Sequence, residues 1–341
     1  DVCSTLLATL GAWKLGIFDV SPSGERVKPD FMIDVMTCQS LAKTGQIWAE
    51  RYGVPSFIIE FVPTSNCSDY LVSQMFDAIE WMERVTGRKY QDDLLIQAVR
   101  NEWHVRVLWS QIIELQKAIP APLDARQLFS LDSAMWRGGL HRKEMVEVYQ
   151  MVLDEMRERV RDKIAALGTE RCRLMHEGIW TWYDTDIAKY PRKYGATFVG
   201  SDSMFCAEGV YEVGEDGSYK IGPTLEGRGL ELRTREDALQ ALAELYTRWN
   251  PTPSGYYLDN RIKRGVKAAE DWHADAVVIN FDQGCKGMTA GLTEMALALK
   301  KKGIPTLFYQ ANAANPTDFD EGEYQSRMDA FLESLGLRPL E

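Results

Sequence analysis

The chain has 341 residues, 45% of them hydrophobic and 26% charged, with 39 Lys and Arg against 50 Asp and Glu for a net charge of −11. That length buries a full core and divides into two or three compact units, and the acidic balance excludes nucleic acid as the main partner, because phosphate backbones select basic surfaces. No apolar run approaches the ~20 residues that span a bilayer, so no membrane partner is expected, and six cysteines in a chain this long read as buried thiols, metal ligands or nucleophiles in a reducing cytoplasm rather than as a disulfide scaffold.

The chain opens at Asp1, not Met, with Cys3 almost at its end, so a preceding segment is expected to be missing. The first section reads as α/β. Phe31–Met36 and Pro55–Phe61 are short apolar runs of the kind that parallel strands covered on both faces show. Between them Ser40–Tyr52 predicts a crossover helix, stopped by Gly53. The middle is helical over Ser68–Val85, Asp92–Ile119 (broken by Pro120 and Pro122) and Arg142–Leu167, ending at Gly168. The last section returns to strands at Arg173–Glu177, Ala196–Gly200, Ala276–Phe281 and Pro305–Tyr309. Its helices are Thr234–Trp249, Asp259–Trp272 and Met288–Lys302. Thr234 stands three residues before Asp237, close to a capping box. Gly214–Gly229 reads as a surface loop or hairpin. The expected fold class is α/β, with two Rossmann-like parallel-sheet lobes and an inserted helical segment. The expected division is an N-terminal lobe over 1–66, the helical segment over 67–168, and a C-terminal lobe over 169–341.

Standard nucleotide motifs are missing. No Gly-x-x-x-x-Gly-Lys-Ser/Thr loop and no Gly-x-Gly-x-x-Gly follows a strand, and no Cys-x-x-Cys pair occurs. What remains are three cysteines far apart in sequence. Cys38 and Cys285 follow the predicted strands ending at Met36 and Phe281, and Cys3 lies near the start. Ligands of open α/β sheets bind outside the carboxyl ends of the strands, so two thiols at two such ends suggest a metal cluster held between the lobes. Thiolates are the preferred ligands of iron–sulfur clusters. Three of them leave one iron of a [4Fe–4S] cube open. Helices starting after Cys38 and Cys285 would aim their positive ends at the cluster. Gly284 and Gly287 let the backbone come close and offer N–H groups, and Lys286 is a further candidate around Cys285. Buried thiols packed at strand ends are the competing reading of all three cysteines.

Three stretches carry a resemblance that bears on these readings. Asp1-Val2-Cys3-Ser4, Met36-Thr37-Cys38-Gln39 and Asn280-Phe281-Asp282-Gln283-Gly284-Cys285-Lys286-Gly287 together resemble the benzoyl-CoA reductase / 2-hydroxyacyl-CoA dehydratase family, over essentially the whole chain. Tyr52-Gly53-Val54-Pro55 and Gly303-Ile304-Pro305-Thr306 agree. The resemblance implies that Cys3, Cys38 and Cys285 ligate a [4Fe–4S] cluster between two α/β lobes. Dehydratases of that family commonly show Cys-Asp at the second cysteine, where this chain has Cys38-Gln39. The opening Asp-Val-Cys is similar to B-type subunits of the ATP-dependent benzoyl-CoA reductases. Double-cubane relatives carry adjacent cysteines, and no such pair is found here. The function implied is a cluster subunit that passes low-potential electrons to an aromatic acyl-CoA thioester for ring dearomatisation. The implied partners are a homologous cluster-bearing subunit and ATP-hydrolysing activator subunits with a bridging iron–sulfur cluster. The alternatives are a 2-hydroxyacyl-CoA dehydratase subunit, a non-catalytic electron-transfer or scaffold subunit, and a cluster-free α/β binding protein.

Other residues are softer candidates. His176 and Trp180, after a strand end, would face the same cleft as Cys285 and relay protons or stack on a ring. Trp182 and Tyr183 extend that aromatic group, and Gln283 would stand near the cluster. Arg261, Lys263 and Arg264 would meet the phosphates of coenzyme A or form a solvated face. Cys67 and Cys206 read as loop thiols and Cys172 as core.

Overall fold

A computed structural model describes residues 3–21, 23–61, 67–251 and 257–340. Asp1 and Val2 of the opening motif, and Asn66 at the expected first boundary, lie outside the described residues. Helix α1 (Ser4–Lys14) leads into a parallel pair, β1 (Met32–Met36) and β2 (Ser56–Glu60), joined by α2 (Gln39–Tyr52). Gly53 ends α2 in the left-handed conformation at φ 64°, the stop that its sequence position predicts. Trp48 of α2 is 4% exposed and stacks on Phe18 at 4.3 Å.

Four helices follow: α3 (Ser68–Thr86), α4 (Asp92–Leu115), α5 (Ala125–Gly138) and α6 (Lys143–Asp162). Helix α3 packs on β2, and α4 packs on α6. The second sheet comprises β3 (Cys172–Glu177), β4 (Ala196–Gly200), β7 (Ala276–Asn280) and β8 (Thr306–Tyr309). Between β4 and β7 come the antiparallel hairpin β5 (Tyr211–Val213) and β6 (Tyr219–Ile221), then α7 (Arg235–Glu244) and α8 (Leu258–Asp271). Thr234 and Asp237 close a reciprocal capping box at the start of α7. Helices α9 (Lys286–Thr289) and α10 (Leu292–Lys301) lead into β8, and α11 (Glu321–Ser334) closes the fold.

The larger sheet is parallel throughout, in the order β4-β3-β7-β8. Its strand faces alternate with period two, as a sheet covered on both sides must. Met175, Val199, Val277 and Ile279 pack with Trp109 and Ile113 of α4, Tyr149 of α6, Ala268 of α8 and Met295 of α10. Leu174, Phe198 and Val278 point the other way, onto Tyr324 and Met328 of α11. Trp109 Nε1 donates to the Phe205 carbonyl at 2.8 Å and Trp272 Nε1 to that of Ile113 at 3.2 Å, so the indoles that join α4 to the sheet also satisfy their polar ends.

Parallel sheets in both halves agree with the expected class, but only the second half has doubly wound order; the first sheet has two strands among the described residues. Three expected helices end or break earlier. The run expected over Asp92–Ile119 stops at Leu115. That over Arg142–Leu167 stops at Asp162, with Lys163 left-handed at φ 54°. The helix expected over Met288–Lys302 is split at Ala290–Gly291, where Gly291 takes φ 81°, a conformation that ends a helix and suits glycine. Helices α1, α5 and α11 were not expected.

Candidate functional site

Strand order reverses between β3 and β7, because β3 connects outward to β4 on one side while β7 connects to β8 on the other. In doubly wound sheets such a reversal opens a crevice at the carboxyl ends of the two strands. Here those ends are Glu177 and Asn280, and the loop after Asn280 carries Cys285. An open cleft of about 480 Å³ lies along this loop, lined by Phe281, Gln283, Lys286, Thr289 and Ala290.

The loop is held by buried polar side chains. Asn280 bonds both backbone groups of Ala311, accepting at 2.9 Å and donating at 2.9 Å, and also donates to the Ile179 carbonyl at 2.7 Å. Asp282, 1% exposed, accepts the Gly284 amide at 2.7 Å and the Ala313 amide at 2.9 Å. The next amide, that of Ala314, donates to Ser4 Oγ at 3.0 Å. Ser4 is the first residue of α1 and follows Cys3. A continuous run of hydrogen bonds therefore connects the Cys285 loop to the residue beside Cys3.

Cys3, Cys38 and Cys285 are all free thiols, with Cys38 exposed and the other two half-buried. Each is the residue before a helix, and in none does the side chain cap that helix. The Cys285 thiol is pushed up, chiefly by burial; Asp282, Cys3 and Cys38 add to this, and the Met288 amide opposes it. Among the described residues no three His, Cys, Asp or Glu side chains stand close enough to hold a metal ion. Thiolates on one ion, each about 2.3 Å from it, must crowd together. Those on a four-iron cube sit on separate irons and need not. The soft, uncapped donor set fits such a cube.

The helix expected after Cys38 is present, the 14 residues of α2. After Cys285 the helix is α9, with only four residues and too little length to build a macrodipole. Cys3, for which no helix was expected, precedes the 11 residues of α1. Gly287 and Lys286 are exposed and Gly284 half-buried around Cys285.

His176 and Trp180 do not face an open cleft. His176 is fully buried on the α11 side of β3, stacks on Trp180 at 3.8 Å and bonds the Tyr309 hydroxyl at 2.9 Å. Burial holds its pKa down at about 3, so the ring is neutral. The strand alternation puts the next residue, Glu177, on the opposite face. Its carboxyl accepts the Asp202 amide at 2.8 Å and is pushed up to about 7 by burial and by the Asp202 carboxylate. Trp182 and Tyr183 are the exposed aromatics of this region, and the Trp182 amide donates to Ala313 at 2.8 Å.

Arg261 and Arg264 form no solvated face: they are 4% and 3% exposed. Arg264 pairs with Asp202 at 3.3 Å. Arg261 donates to the carbonyls of Gly287, Met288 and Ala290. Both were misread because charged side chains default to solvent. The signal present was the helical row Arg261, Gly265, Ala268, whose small residues mark the buried side of α8. Cys172 and Cys206 are core thiols; burial lifts that of Cys172 to about 12. Cys67 precedes α3 and is half-buried.

The chain is 24% identical to the (R)-phenyllactyl-CoA dehydratase alpha subunit of Clostridium sporogenes, over 98% of its own length and 77% of that protein's. It is 23% identical to the alpha subunit of (R)-2-hydroxyglutaryl-CoA dehydratase from Acidaminococcus fermentans, over 90% of its own length and 60% of the other's. To the B-type subunit of benzoyl-CoA reductase from Thauera aromatica it is 23% identical, over 98% and 77%. The sequence profile described as 2-hydroxyglutaryl-CoA dehydratase, D-component, matches residues 1–335, and the chain belongs to that family.

Proposed function

We propose that this chain is the [4Fe–4S] subunit of an ATP-dependent benzoyl-CoA reductase, with Cys3, Cys38 and Cys285 as the cluster ligands. The observation that supports the ligand set is geometric: Cys285 lies on the loop after β7 where strand order reverses, and the bonds between Asp282 and Ala313 and between Ala314 and Ser4 tie that loop to the residue beside Cys3. Such a cluster, held by three thiolates, keeps one iron open and supplies one-electron chemistry at low potential. The chain's own residues do the rest. Asp282 and Asn280 fix the loop that presents Cys285. Gln283 and Lys286 line the cleft beside it, where an ammonium suits a thioester oxygen or a phosphate. Trp182 and Tyr183 offer exposed ring faces near the Ala313 loop for an aryl group. The reading carries a division at 1–66, 67–168 and 169–341, a homologous partner subunit, ATP-hydrolysing activators and a cytoplasmic setting.

The reductase assignment rests on Asp1-Val2-Cys3 and on Gln39 after Cys38. A second reading, a 2-hydroxyacyl-CoA dehydratase subunit, is favoured by the family's description and by two of the relatives above. Turnover separates the two. The complex is incubated with its activator, ATP and a low-potential reductant, and offered benzoyl-CoA or a 2-hydroxyacyl-CoA. Consumption of benzoyl-CoA to a cyclic diene supports the first reading. Water loss from the 2-hydroxyacyl thioester, with benzoyl-CoA untouched, establishes the second.

A further inference from the structure

Among the described residues Arg261 has no hydrogen bond to a carboxylate, yet it is nearly excluded from water. The titratable groups that act on it are Glu177, Asp202, Arg264 and Cys285. All its guanidinium bonds go to one short stretch of backbone: Nη1 donates to Gly287 and Ala290 at 2.8 Å each, and Nη2 to Met288 at 2.5 Å. A trans peptide points its N–H opposite to its C=O. The peptide units whose carbonyls Arg261 holds at Gly287 and Met288 present the N–H groups of Met288 and Thr289 on their far side. Both of those donate to the Cys285 carbonyl, each at 3.1 Å, and the Met288 amide also acts on the Cys285 thiol. Two successive peptide units are thus gripped at one end by Arg261 and at the other by Cys285. A cation on the carbonyl end polarises each unit and strengthens its N–H as a donor.

We propose that Arg261 is the positioning residue of Cys285: its planar fork orients the Gly287–Met288 and Met288–Thr289 peptides so that their N–H ends face the cysteine, and so sets both the place of that ligand and the potential of what it binds. The inference rests on the reading of Cys285 as a cluster ligand. The fork matters as much as the charge, because a lysine ammonium is a compact point donor that cannot reach three separate carbonyls as a two-armed guanidinium does.

Arg261→Lys keeps the charge beside Glu177 and is the main variant; Arg261→Gln is the second. In the iron-free chain, amide exchange of Met288, Thr289 and Ala290 is expected to quicken at least about tenfold in both, with exchange in α4 unchanged. In the loaded complex, full iron with the cluster's reduction potential moved to lower values and its EPR signal altered is expected in both variants. Unchanged exchange over Met288–Ala290 overturns the clamp whatever the iron content. Faster exchange with wild-type potential and EPR overturns the tuning role. Absence of iron from the wild-type complex instead sinks the ligand reading and leaves the exchange result to decide the clamp.

Discussion

The amide of Ala314 donates to Ser4 Oγ at 3.0 Å, across nearly the whole length of the chain. Ser4 is 5% exposed, so this bond forms away from competing water. It anchors the first turn of α1, and with it Cys3, to the loop that Asp282 holds from the Cys285 side. Ser4→Ala leaves the Ala314 amide without its acceptor. A loss of about 1–2 kcal/mol is expected in chemical denaturation, with faster exchange of the Ala314 amide. Unaltered exchange at Ala314 would mean that the bond does not tie α1 to the loop.

Asp282 is the hub of the same run. Both its oxygens accept backbone N–H groups, from Gly284 and Ala313. Asp282→Asn turns one acceptor into a donor that faces an N–H. The expected cost is about 2–3 kcal/mol, together with exposure of Cys285 to alkylating reagents in iron-free protein. Stability and alkylation rate equal to wild type would remove Asp282 from this role.

Gly178 follows β3 with φ 84°, and a Cβ there would collide with the carbonyl oxygen of Asn280. Gly87 has a similar φ of 66° but nothing near the place of its Cβ. Gly87→Ala is expected to cost about 1–2 kcal/mol, the ordinary left-handed penalty. Gly178→Ala is expected to cost about 3–5 kcal/mol, because the clash falls on backbone at the end of β7. Similar melting temperatures for the two variants would contradict the tight approach of β3 and β7.

His176 makes stability depend on pH in a defined direction. Burial lowers its pKa from 6.5 to about 3 in the folded chain. The unfolded chain therefore binds the proton first on acidification. The stabilising contribution is complete above about pH 6.5 and is lost as pH falls toward 3, at up to about 1.4 kcal/mol per unit. His176→Phe keeps the stack on Trp180 and gives up the bond to Tyr309. It should be less stable than wild type at neutral pH and show a shallower loss between about pH 6 and 4. Parallel curves for the two proteins would contradict a neutral buried ring.

Much of this was legible in the sequence, for identifiable reasons. Ala196–Gly200 was placed to the residue because an apolar run ends there in glycine, and β7 starts where expected and ends one residue earlier, at Asn280. The placement of Cys38 after β1 and of Cys285 after β7 followed from the apolar runs of those two strands. What was missed has equally local causes. Helix α5 begins with a reciprocal capping box between Asp124 and Gln127, but Pro120 and Pro122 just before it read as breakers. Lys163 ends α6 in a left-handed conformation that no glycine announces. The tie between α1 and the Cys285 loop runs through a bond between Ser4 and Ala314, and residues so far apart leave no periodic trace. His176 and Glu177 are adjacent, so one register position decided which faced α11 and which faced α8.

The most direct test of the account is iron and acid-labile sulfide in anaerobically purified complex, for wild type beside Cys3→Ser, Cys38→Ser and Cys285→Ser. The account predicts that each variant loses about four irons and four sulfides per copy of this chain relative to wild type, with Cys67→Ser unchanged. Wild-type iron and sulfide in the three variants would contradict the cluster and leave Cys3, Cys38 and Cys285 as ordinary thiols.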